Sequence, residues 1–72
     1  MNQKEYELVG GVIYARRENA RNLDKLGWGE QKIATAISVI DDLANFMAYE
    51  LEKNYTNFDR VKFDKICTEG KA

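Results

Sequence analysis

The chain has 72 residues, 44% of them hydrophobic and 32% charged, with no proline, no histidine and a net charge of −1. This composition excludes a disordered tail and a disulfide-rich secreted fold. Eleven Lys+Arg against twelve Asp+Glu also exclude a whole-molecule grip on a polyanion.

A chain this short forms one domain, residues 1–72 as a single helical unit. One core of that size supplies only about 3–5 kcal/mol of net stability, so near-ideal helix packing, an oligomer or a partner is expected. The lone Cys67 can form neither an internal disulfide nor, without histidine, a metal site or a Cys-His nucleophile. No metal and no cofactor is implied. Uncharged runs reach only eight residues, as in Leu8 to Ala15, far short of the roughly 20 that span a bilayer. The opening Met1 to Glu7 is charged from its fourth residue and has no apolar signal core. These features predict a soluble, reduced protein of the (host) cytoplasm.

The first segment, about 3–26, reads as a helix with a broad apolar side formed by Tyr6, Leu8, Val9, Val12, Ile13, Ala20 and Leu23. Gly10 and Gly11 interrupt it, each at a cost of roughly 1 kcal/mol against alanine in a helix interior. The pair either kinks the helix or lets another backbone come close. Arg16 falls within the apolar arc and therefore must snorkel, pair with a carboxylate or face a subunit boundary; Asp42 or Asp41 lies level with it in an antiparallel hairpin and is the favoured partner, from this chain or a second one. Arg17, Arg21 and Lys25 form a basic stripe beside Tyr14 that could bind phosphate, a nucleotide or an acidic surface. Interleaved Glu18 and Asp24 favour the plainer reading of that stripe as a solvated face.

Gly27-Trp28-Gly29 is the strongest break in the chain. Trp28 either folds back onto the end of the core, near Leu26 and Ile33, or projects as an aromatic anchor for a partner. Beyond it, Ile33, Ile37, Ile40, Ala44, Met47 and Leu51 recur at steps of four and three. They fall within roughly 80° of one another on a helix over about 30–53. Gly29 suits its N-cap and Glu30 its positive end. Val39, Leu43 and Phe46 form a second apolar stripe that a two-helix hairpin would leave in water. Tyr49 lies on the polar side and suits a contact surface.

The third segment has a compact start. With Asp59 as N-cap, Phe58 and Phe63 have the spacing of a hydrophobic staple, and Gly70 suits the stop of a helix over about 60–68. Val61, Ile66 and Cys67 give it a short apolar face, expected to cover the Val39, Leu43 and Phe46 stripe unless another subunit does. The fold predicted is all-α: an antiparallel helical hairpin closed by a short C-terminal helix, or a dimeric bundle built on helix faces.

The stretch from Leu43-Ala44 through Asn57-Phe58-Asp59-Arg60 to Phe63 and Cys67 resembles the ending of many small proteins encoded by phages and prophages. Those commonly close with a helix, Asn-Pro, Phe-Asp-Arg, two variable residues, Phe, and a Cys three or four positions on. The opening Glu5-Tyr6-Glu7-Leu8-Val9-Gly10-Gly11-Val12-Ile13 is similar to their start. The resemblance spans about half the chain. It departs from the pattern at Thr56-Asn57, where a proline often stands, and at Asp64, where an apolar residue is frequent. It implies a phage-like origin and transfers no activity and no binding residues.

Adjacent carboxylates such as Asp41-Asp42 diverge by about 100° on a helix and cannot share a site, so no acid–base pair is legible and no enzyme is expected. The reading favoured is a non-enzymatic interaction protein of phage type, a stoichiometric inhibitor of a host or defence protein complex in the manner of an anti-CRISPR or other counter-defence factor. Its candidate contact residues are Tyr14, Arg17, Arg21, Lys25, Trp28 and Tyr49, with Val39, Leu43 and Phe46 meeting a third helix or a second copy. The alternatives are a nucleotide or small-ligand binder and a nucleic-acid-binding regulator. For the latter, Arg60, Lys62 and Lys65 make the 53–72 segment net positive, but Asp59 and Asp64 lie among them.

Overall fold

The computed structural model describes residues 1–71, whose regular structure is all helical: α1 (Gln3–Arg21), a 3₁₀ segment (Asn22–Leu26), α2 (Glu30–Asn54) and α3 (Arg60–Glu69). No helix among the described residues is long and apolar enough to cross a membrane.

Each start has a local cause. Asn2 caps α1 in a capping box: its side chain accepts from the Glu5 N–H, and the Glu5 carboxylate accepts from the Asn2 N–H, both at 2.9 Å. This Asn-x-x-Glu start was overlooked in the sequence. Gly29 is the N-cap of α2, and Asp59 caps α3 by accepting from the Lys62 N–H at 3.0 Å. The staple forms, with the Phe58 and Phe63 rings 5.5 Å apart, and Gly70 ends α3 at a left-handed φ of 83°.

The first helix is shorter than the 3–26 expected. After Arg21 the chain tightens into a 3₁₀ segment, where Asn22 and Asp24 favour local turns over a helix interior. Gly27, at φ 85°, then reverses it, with the Gly27 N–H donating to the Asp24 carbonyl at 3.0 Å.

α1 is continuous across both glycines, so the pair does not break it. Gly10 is buried, and a Cβ built there would lie 2.5 Å from Ile66 Cγ2 and 2.9 Å from Ile66 Cβ. The backbone of α1 thus meets the side chain of α3 directly. Gly11 faces open space.

This close approach decides where α3 lies, and it corrects the expected packing. α3 packs chiefly on α1, behind the hairpin, and leaves the Val39, Leu43 and Phe46 stripe uncovered on the front. The core is Tyr6, Ile13, Ala44, Ala48, Phe63, Ile66 and Cys67, where all three helices meet. Toward the hairpin tip only two helices remain, so Ile33, Ile37 and Ile40 stay partly exposed despite their regular spacing. The molecule is long and thin, 43 × 19 × 14 Å, with a radius of gyration of 13.2 Å where a compact chain of this length has about 11 Å.

The two neighbouring glycines should respond oppositely to alanine. Gly10→Ala forces α3 away from α1 and should cost about 1–3 kcal/mol, whereas Gly11→Ala should stabilise by about 0.5–1 kcal/mol through helix propensity alone. Urea denaturation of the two variants checks both signs.

Candidate functional site

Two helices crossing at a shallow angle cover only part of each other, and here the remainder is apolar. Leu8 and Val12 on α1 and Val39, Leu43 and Phe46 on α2 lie on one side of the hairpin, exposed by between 53% and 70%. Between the helices runs a groove of about 520 Å³ lined by Leu8, Val12, Arg16, Ile40, Leu43 and Met47. It continues toward the tip past Ala20, Leu23, Val39 and Trp28. The expected stripe is therefore one half of a larger face that α1 completes.

Trp28 belongs to this face. Its ring is 44% exposed and also borders Gln31, Lys32, Thr35 and Ala36, so it lies along α2 at the tip, neither sealed in a core nor projecting freely. Tyr49 is exposed on the flank of α2, with Lys53 Nζ 4.9 Å from its ring centre.

The residues of the basic stripe do not share one surface. Arg17 is the arginine turned toward the core: its side chain is 12% exposed, and its Nε donates to Asp41 Oδ1 at 2.7 Å. Tyr14 packs against Gly70, whose Cβ position would lie 3.0 Å from the ring, and so belongs to the seam between α1 and α3. Arg21 pairs with Glu18 at 3.2 Å, and Lys25 is exposed on the 3₁₀ segment.

Arg16, expected to reach Asp41 or Asp42, instead points onto the open face and has no ion-pair partner among the described residues. The one-residue error has a simple origin. The buried side of α1 is set by Tyr6, Gly10, Ile13 and Ala20, because two helices contact it. That arc is rotated away from Val12 and toward residue 17, and one residue is about 100° of helix.

On α3, Arg60 hydrogen-bonds Glu52 at 2.9 Å and Asn45 at 3.1 Å, tying α3 to α2. Lys62 lies over the Tyr6 ring at 5.1 Å, and the Tyr6 hydroxyl accepts from the Asp59 N–H at 2.6 Å. Phe58, Asp59 and Arg60 thus act as staple, cap and tie, and two of the three cations proposed to grip nucleic acid are engaged within the fold. Lys65 makes no such contact among the described residues.

Cys67 is 3% exposed, and burial, reinforced by nearby Asp64, pushes its thiol up to about 11. A thiol this protonated is a small apolar side chain and not a nucleophile. No cluster of three or more potential metal ligands occurs among the described residues. Compared with known protein families, curated proteins and solved structures, the chain gives no match.

Two measurements test this account. Native Cys67 should resist a thiol reagent near pH 8 and react at the rate of a free thiol only after denaturation. Because the folded thiol is held protonated, its contribution to stability is complete below pH 9 and fades as pH rises toward 11. Asp41→Ala strands the largely buried Arg17 and should cost about 1–3 kcal/mol, a fall in Tm of at least about 4 °C for a domain this small.

Proposed function

We propose that the protein is a small, non-enzymatic interaction protein that works stoichiometrically, laying the open face of α1 and α2 on the surface of a larger protein. The observation supporting this is the gathering of Leu8, Val12, Val39, Leu43 and Phe46 on one side of a thin molecule. Contiguous apolar surface of this kind is costly in a soluble monomer and is typical of contact sites. Large side chains lie at its centre around Arg16, and Glu5, Lys32 and Glu50 lie toward its ends. The side-chain chemistry also favours binding over turnover. There is no histidine, the thiol is protonated and buried, and Arg17, Arg21 and Arg60 are each held by a carboxylate.

The resemblance to phage-encoded proteins suggests what the larger surface belongs to: a host or defence protein complex, which the protein would inhibit by occupation as counter-defence factors do. Mixing the purified protein with purified defence complexes should give a co-eluting species of fixed stoichiometry. Leu43→Glu, at an exposed position, should preserve the helical circular dichroism and weaken that complex by at least about 100-fold. Equal binding by the variant would overturn the assignment of the face, and turnover of any substrate would overturn the reading as a whole.

A further inference from the structure

The two ends of this molecule are held by different means. Where the three helices meet, Asn2 and Asp59 cap α1 and α3 with their side chains, and the buried core lies between the helices. From Arg21 to Leu43 no residue is buried. On α2, Ile40 is the residue nearest the tip that packs on the core cluster. Both helix starts at the tip are bare: neither Arg21 before the 3₁₀ segment nor Gly29 before α2 supplies a side-chain cap. Among the described residues the hydrogen bonds of the tip are all local, and the two arms of the hairpin are tied by the bond from Arg17 to Asp41. Helix propensity and a few partly covered side chains are left to hold the tip, which is the condition for local opening.

α2 also carries a second start signal within it. Ser38 is followed by Val39 and Ile40, and then by Asp41 and Asp42. Serine is a preferred N-cap, and a helix starting at Val39 would have both carboxylates in its first turn, where the dipole favours them. Inside the full-length helix these same three residues are weak formers. Shortening α2 to this point keeps Ala44, Ala48 and the Arg17–Asp41 bond, so the buried core is left whole.

We infer that residues 22–37 are an arm that opens and closes as one unit on an intact three-helix base, Ser38 becoming the N-cap of the shortened α2. The side chains uncovered are Leu23, Ile33, Ala36 and Ile37, all partly exposed already. Opening also lifts Trp28 from its place along α2 and frees the backbones of Gly27 and Gly29, which gain more entropy than any other residue type. Arg17 and Asp41 hold the two arms together just below the point where opening stops. The arm behaves in this way whatever the open face contacts.

Hydrogen exchange of the full chain, read residue by residue at fixed pH, tests this. Amides of 24–37 should exchange at least about tenfold faster than those of Ile13, Ala48 and Ile66. Low concentrations of urea should accelerate the second group far more than the first, because opening the arm exposes little surface. Ala34→Gly, at an exposed site within the arm, should speed exchange of the arm about fivefold and leave the base unchanged. Gly11→Ala should slow the base about threefold and leave the arm unchanged. Ser38→Ala removes the latent cap and improves the full-length helix, so the arm should exchange at least about threefold more slowly. Equal protection of arm and base, or an Ala34→Gly effect that the base feels as fully as the arm, overturns the inference, since the chain then opens only as a whole. Arm exchange in Ser38→Ala no slower than in the wild type overturns the stop at Ser38.

Discussion

The contact between the α1 backbone at Gly10 and Ile66 of α3 organises this molecule. An alanine there would put its Cβ within 2.9 Å of two Ile66 carbons, so only glycine lets the helices come this close. The approach brings Ile66 and Phe63 to complete burial and seats Cys67 beside them. It also draws Tyr6 under the α3 entry, where the Tyr6 ring stacks on Phe58 and its hydroxyl takes the Asp59 N–H. Dispersion within a close-packed seam is collectively large, and a short ten-residue helix has no other means of staying formed.

That seam is also what leaves the molecule incomplete. A single short helix can cover one side of a two-helix layer, and choosing the glycine side exposes the other. The polar interactions then follow the back of the layer: Arg17 to Asp41 at the edge of the core, and Arg60 to Glu52 and Asn45 across α2 and α3. The front retains Arg16, whose charge would be out of place in a face meant for water alone or for oil alone.

The state of the strongest polar groups follows from the same arrangement. The strong hydrogen-bonding cations are consumed in holding helices to one another, and the thiol is buried where its charged form is disfavoured. What remains exposed on the front is largely apolar area, with Arg16 among it.

Periodicity, capping residues and glycines were enough to establish three helices, their ends to within a residue or two except at the Asn22–Leu26 tail, the Phe58–Asp59–Phe63 start of α3, and the surplus stripe on α2. All of these depend on interactions between residues near in sequence. The side of the hairpin on which α3 lies, the choice of Arg17 over Arg16 for the ion pair, and the joining of Leu8 and Val12 to the α2 stripe could not be read that way. Each depends on how α1 is rotated about its own axis, which two neighbouring helices settle jointly through one tight contact at Gly10. A helix carries apolar residues over a wide arc, and only the packed partners determine which part of that arc becomes the inside.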